Sequence, residues 1–177
     1  MHHVQPSSTV GSSPGPDAMR RAFATLPQGV CLLQAAVDGK QATMTVSSAT
    51  PLSLTPPLLL TCIRKQSFIG RNLVRIGEFH LAVLARSQVA LSEQFGRPAS
   101  ASNSSPDPSI AFSAARPLHE AVLTLSCRQH IVYDGGDHWI LVGDVTELAA
   151  GEPQRAPLIH YRRTYWFTVQ LELPRSM

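Results

Sequence analysis

Apolar residues recur along this chain at two spacings, one helical and one alternating, and the switches between them mark its elements. Over residues 18–26, Met19, Ala22, Phe23 and Leu26 share one helical face, Asp17 stands at the cap position, and Pro27-Gln28-Gly29 stops the run. A strand over 30–36, the turn Asp38-Gly39 and a strand over 41–46 make a hairpin. Residues 49–57 form a polar, proline-marked connection, and the apolar run 58–63 reads as a buried strand. Ser67 can cap a helix over 68–76, with Gly77 just past its end. A strand over 79–84 precedes a helix over 88–95 capped by Ser87. Residues 97–109 are a low-complexity Ser/Pro stretch, the kind of loop that serves as a lid or stays disordered.

The second half reads as β throughout. Residues 121–133 alternate, with Leu123, Leu125, Cys127, Ile131 and Tyr133 on one face. After the turn Asp134-Gly135-Gly136-Asp137, residues 138–148 alternate again, with Trp139, Leu141, Gly143 and Val145 together. Runs at 158–161 and 165–173 form a last hairpin. The pattern thus predicts about eight strands and a few short helices, a mainly β, α+β chain. Long antiparallel strands with tight turns favour a closed barrel over an open sheet, because closure removes exposed edges.

Composition narrows the function. A chain of 177 residues with 44% hydrophobic content fits one domain with a substantial core, here residues 17–177. Residues 1–16 are rich in Ser, Pro and Gly without an apolar centre, which predicts a disordered leader rather than a secretory signal. A net charge of +3 with 15% charged residues excludes a nucleic-acid arm or a polybasic membrane binder. No apolar run approaches the ~20 residues of a membrane span. Cys31, Cys62 and Cys127 lie far apart, which argues against a disulfide framework or zinc site and for free thiols in the cytoplasm. No histidine pair has metal-ligand spacing, and no dinucleotide, P-loop or nucleophile-elbow motif occurs. An enzyme built on this chain would leave its chemistry to a cofactor.

The stretch 44–67 carries the chemistry. Met44-Thr45-Val46-Ser47-Ser48 and Leu52-Ser53-Leu54-Thr55-Pro56-Pro57 cluster hydroxyls before a double proline; then the apolar strand ends in Arg64-Lys65-Gln66-Ser67. Such a layout can line a flat polar ligand with hydroxyls and amides and seat its phosphate on two cations and a helix start. Taken alone, the same serines could satisfy backbone groups in a turn, and the cations could be a solvated strand end.

Four blocks resemble the short-chain flavin reductases, the reductase partners of two-component flavin monooxygenases. Residues 19–30 are similar to that family's opening helix, 44–57 to its Ser-Leu-x-Pro-Pro segment, and 157–165 to its closing Pro-Leu-x-x-Tyr-x-x-x-Tyr hairpin. Gly136-Asp137-His138 followed by Gly143-Asp144-Val145 resembles its Gly-Asp-His signature. The resemblance implies a flavin-binding split β-barrel, a homodimer, and hydride transfer from NADH or NADPH to FMN or FAD, with reduced flavin passed to a separate monooxygenase. It implies that Thr45, Val46, Ser47 and Ser48 meet the flavin through backbone and hydroxyls. Ser53 would sit at the polar ring edge, Cys62 and Ile63 along its side, Arg64, Lys65 and Ser67 at the phosphate, and His138 where nicotinamide approaches. The chain departs from the pattern at Ala49 (an aromatic in the family), Pro51 (a serine), the 97–109 loop and Arg163 (a glycine). The alternative is therefore a protein of this fold that binds flavin or a pathway intermediate without turnover. The dimer has its own warrant: Trp139, Leu141, Trp166 and Phe167 exceed what a small barrel interior needs, and alternation sends part of that surface outward.

Overall fold

The computed structural model describes residues 13–96 and 110–168. Most of the expected leader, the Ser/Pro loop at 97–109 and the end of the last expected strand lie outside the described residues. Ten strands stand among the described residues: β1 (Gln28–Gly29), β2 (Cys31–Val37), β3 (Lys40–Val46), β4 (Thr50–Leu54), β5 (Pro57–Arg64), β6 (Glu78–Val83), β7 (Leu123–Gly135), β8 (His138–Ala150), β9 (Leu158–Tyr161) and β10 (Thr164–Phe167). Three helices accompany them: α1 (Pro16–Phe23), α2 (Phe68–Arg71) and α3 (Val89–Gly96).

Seven strands form one antiparallel sheet in the order β3-β2-β6-β7-β8-β5-β4, and a small sheet has the order β1-β9-β10. The large sheet is not closed, as a continuous barrel would be; β3 and β4 are its edges. The gap is bridged by a side chain. Ser48, just past β3, accepts from Cys62 N of β5 at 2.9 Å and lies 3.1 Å from Cys62 O. This is a split barrel. Its interior holds Leu33, Val46, Ile63, Ile69, Phe79, Leu125 and Leu141. A second apolar layer, with Leu32, Leu84, Phe112 and Leu158, packs between the outer face of the sheet, α3 and the β9–β10 hairpin. Buried Gln34 fastens the chain there: its Nε2 donates to Ile110 O and its Oε1 accepts from Phe112 N.

Several local expectations need correction. α1 starts at Pro16, whose fixed φ suits a first helical position, so Asp17 lies inside the first turn, paired with Arg20, instead of capping. No α1 residue is buried, and Phe23 and Leu26 stand exposed. The proline-marked connection contains a strand, β4, because an edge strand tolerates Pro51. The helix expected over 68–76 stops after Arg71: Asn72 leaves helical geometry, its Nδ2 donates to Phe68 O, and a single 3-10 turn follows. Gly77 is not left-handed. Ser87 bonds Glu120 instead of capping α3 and lies inside a 3-10 turn, Arg86–Gln88, at whose start Gln88 Oε1 accepts from Ala85 N. The β7–β8 register shifts at Ser126/Cys127 and at Gln129/Ile131, and the second shift leaves His130 as an extra residue in β7 that interrupts its alternation. Leu125 and Cys127 therefore face the core while Ile131 and Tyr133 face out.

Gly143 belongs to the packing: a Cβ there would come within 2.5 Å of the Phe79 ring. The Gly-Asp-Val part of the sequence signature thus leaves room for the largest fully buried side chain.

Candidate functional site

The site is built where β5 and β8 end together. In the antiparallel register Arg64 pairs with His138, Cys62 with Ile140 and Leu58 with Asp144. Alternation along β5 turns Leu59, Thr61 and Ile63 into the core and Cys62 and Arg64 outward. Arg64 and His138 are therefore neighbours on one outer face. Ile63 is fully buried, so its expected role lining a ligand does not fit its side chain. Val46 is likewise core, leaving only its backbone to face a ligand.

The hydroxyl segment runs along the same edge. Ser48 touches Cys62, two residues from Arg64, or about 7 Å along the strand. Ser53 pairs with Leu58, six residues from Arg64, about 20 Å away. Ser53, Ser48, Cys62 and Arg64 thus follow one line, in the order a ring-to-phosphate ligand requires. Most of these hydroxyls already have partners. Thr45 donates to Ser92 O at 2.8 Å, Ser47 to Gln28 Oε1 at 3.0 Å, and Ser53 accepts from Thr55 N at 3.2 Å.

At the cationic end, the two basic residues differ. Lys65 Nζ lies 2.5 Å from Asp134 Oδ2 and 4.4 Å from the Trp139 ring centroid, so it is engaged. The Arg64 side chain makes no hydrogen bond or ion pair among the described residues and projects outward. Ser67 caps α2, accepting from Gly70 N at 2.9 Å and donating to Arg64 O at 2.8 Å. Trp139 Nε1 donates to Gly70 O at 3.1 Å, locking α2 against the strand ends.

His138 Nδ1 lies 2.7 Å from Asp137 Oδ1. A carboxylate only accepts, so Nδ1 carries the proton and Nε2 is left to face a ligand. The His138 contact holds the Asp137 carboxyl below the usual carboxylate range, with the Arg64 charge adding to the effect. Asp134 is lowered in the same way, by the Lys65 contact and then the Gly136 N–H. Two carboxylates therefore stay ionised beside two cations, which keeps the seat close to charge-balanced. Burial pushes the Cys31 and Cys127 thiols up to about 12, so both are inert packing. No cluster of metal-ligating residues exists among the described residues.

The structure therefore brings Ser48, Cys62, Arg64, Lys65, Ser67 and His138 to one strand end, with Thr45, Ser47 and Ser53 on the edge leading to it. Sequence reasoning missed Gln28, Ser92, Asp134 and Tyr165. Tyr165 closes the Pro-Leu-x-x-Tyr-x-x-x-Tyr hairpin and Asp134 stands two residues before the Gly-Asp-His triplet, so both carried a positional signal; Gln28 and Ser92 carried none.

The outward Arg64 guanidinium, the neighbouring His138 and the backbone of residues 45–48 suit a flavin with its phosphate at the strand end. Comparison with known proteins identifies the family. A family model for the flavin reductase like domain matches residues 19–167. The reductase component of 4-hydroxyphenylacetate 3-monooxygenase from Thermus thermophilus is 33% identical over 150 residues, covering 84% of this chain and 94% of that protein. An NADH-dependent FMN reductase of Streptomyces nodosus subsp. asukaensis is 32% identical over 159 residues, covering 88% and 86%. The solved NADH:FAD oxidoreductase of Streptomyces globisporus, in complex with NAD and FAD fragments, superposes with a TM-score of 0.72 at 25% identity, over 90% of this chain and 93% of that one.

Proposed function

Since the chain belongs to the flavin reductase-like domain family, we propose that it is an NADH-dependent flavin reductase that supplies reduced FMN or FAD to a separate monooxygenase. One observation carries the reading: the register that sets outward Arg64 beside His138 at the end of the hydroxyl-lined edge. Bound there, flavin supplies the hydride acceptor and NADH the hydride. The protein's own residues orient and hold. Arg64 grips a phosphate, the 45–48 backbone meets the ring, and Asp137 fixes the His138 tautomer so that Nε2 meets the nicotinamide side. His138 is a positioning contact, because hydride transfer asks for no prior deprotonation of the nicotinamide.

Anaerobic NADH oxidation with FMN or FAD is the test, against free flavin as control. His138→Ala is expected to raise the KM for NADH about tenfold, the ~1.4 kcal/mol of one good contact, with a smaller change for flavin. No oxidation above free flavin with either nucleotide would sink the reading, and a flavin binder without turnover would replace it.

The proposed working form is a homodimer, and the apolar surface that supports this reading differs from the one expected. Leu141 is buried and Trp139 packs on the core, so neither offers the apolar surface expected of them; only Trp166 and Phe167 stand exposed. The outward strip is instead Leu60 and Cys62 of β5, Ile140 of β8, and Ile131 and Tyr133 of β7, adjacent by register. A second copy covering this strip would lie against the Arg64–His138 end. Light scattering is expected to give about twice 19.2 kDa, and Ile140→Glu to give a monomer. A stable wild-type monomer at micromolar concentration would remove the proposal.

No helix among the described residues is long and apolar enough to cross a membrane. Three free cysteines suit a reducing compartment, and the cytoplasm is the proposed location.

A further inference from the structure

The hydroxyls that the family resemblance assigns to flavin contact hold on to neighbouring elements, and those elements converge on the closing hairpin. Thr45 and Ser47 lie two residues apart and reach different anchors. Thr45 Oγ1 donates to Ser92 O of α3 at 2.8 Å, and buried Ser92 places its Oγ 3.0 Å from Tyr165 OH of β10. Ser47 Oγ donates to Gln28 Oε1 of β1 at 3.0 Å. Gln28 is the backbone partner of His160 in β9, and the His160 ring packs edge-on to Tyr165 at 5.7 Å. The circuit returns to its start. Between its two arms lies Val46, whose side chain is sunk in the barrel core. Ser48 adds the third tether, to Cys62 of β5.

Three tethers to three elements leave the 45–48 backbone almost no freedom. We propose that Gln28 and Tyr165 are positioning residues for flavin, acting through Ser47 and through Ser92–Thr45 to preset the backbone that meets the ring. The small sheet thereby gains a function: it carries the far ends of both tethers. This rests on flavin lying along residues 45–48. An untethered segment must be ordered at the moment of binding, and that ordering free energy comes out of flavin affinity. Once flavin is bound, the segment is in place and turnover proceeds as before. The signature is therefore a split between KM and kcat.

Steady-state NADH oxidation is measured across FMN concentration for Tyr165→Phe, Gln28→Ala and Gln28→Glu. Tyr165→Phe and Gln28→Ala are expected to raise the KM for FMN three- to tenfold with kcat at saturating FMN within twofold of wild type. Gln28→Glu keeps an acceptor for the Ser47 hydroxyl and is expected to restore most of the lost affinity. Thr45→Val, which already severs the upper arm, is expected to make Tyr165→Phe nearly silent in KM. Lower melting temperatures with an unchanged KM would overturn the proposal and leave Gln28 and Tyr165 as fold residues. Ser47→Ala separates the two levels. If it raises the KM while Gln28→Ala does not, the tether is wrong and the flavin position stands. If Thr45→Val, Ser47→Ala and both anchor variants all leave the KM for FMN unchanged, flavin does not lie on this segment and both readings fall.

Discussion

Gly70→Ala is expected to be the most damaging conservative change near the site, lowering stability by about 2–3 kcal/mol and removing most flavin affinity with it. A Cβ at this position would sit 2.1 Å from Arg64 O and 3.0 Å from Lys65 O. Both are backbone atoms of the strand end and cannot swing aside as a side-chain tip would. Gly70 also holds the corner together: its N–H donates to the Ser67 cap and its carbonyl accepts from the Trp139 indole. Pushing α2 away by the ångström or more that the methyl demands would stretch both bonds and displace Arg64, whose side chain is unpaired among the described residues. For a chain of this size, about 2–3 kcal/mol corresponds to a fall in melting temperature of roughly 4–12 °C. Gly77→Ala is the matched control. Nothing lies within 4 Å of its added Cβ, its φ is not positive, and it should melt at or slightly above wild type. Thermal melts of the pair decide the matter, and a Gly70→Ala protein within ~1 °C of wild type would show that the close approach is not structural.

The barrel was legible in the sequence because its signals are local. The Asp38-Gly39 turn takes the positive φ values that a tight hairpin asks for, and the alternation of β8 turns Trp139, Leu141 and Val145 inward as the pattern implied. What stayed hidden depends on partners far along the chain. Pro51 marks a loop by composition, yet becomes part of β4 because that strand is an edge. Ile131 and Tyr133 follow the alternation of Leu125 and Cys127 on paper, but an extra residue in β7 reverses the face, a register event that no single-strand pattern reveals. Of the site, residue types and order along the edge were readable, while the use of each hydroxyl was not. A serine that satisfies a neighbouring strand and a serine that awaits a ligand look alike until the neighbour is placed. Ser48 shows why: β4 pairs with β5 only as far as Leu60, and the Ser48 hydroxyl takes over at Cys62, where a strand's backbone would otherwise have bonded.

The two cations at the strand end should prove unequal. Arg64→Ala is expected to weaken FMN binding by roughly tenfold or more, the magnitude of one charge-assisted contact of ~1.5–3 kcal/mol. Lys65→Ala should weaken it less, because Lys65 already spends its charge on Asp134 and the Trp139 ring. Its loss should register instead as a modest fall in melting temperature, since that exposed pair is screened by solvent. Arg64 pairs with His138 across the register, makes no salt bridge to the nearby Asp137 among the described residues, and its planar fork can take two phosphate oxygens at once. Riboflavin, which lacks the phosphate, supplies the internal standard. Wild type should bind FMN several-fold more tightly than riboflavin, and the gap should close in Arg64→Ala while largely persisting in Lys65→Ala. The contrast separates a phosphate contact from a general electrostatic attraction, which would respond to both substitutions alike because each removes one positive charge. Titration of flavin fluorescence at two ionic strengths measures it directly. Equal binding of riboflavin and FMN by wild type would move the phosphate away from this strand end and return Arg64 to being a solvated terminus of β5.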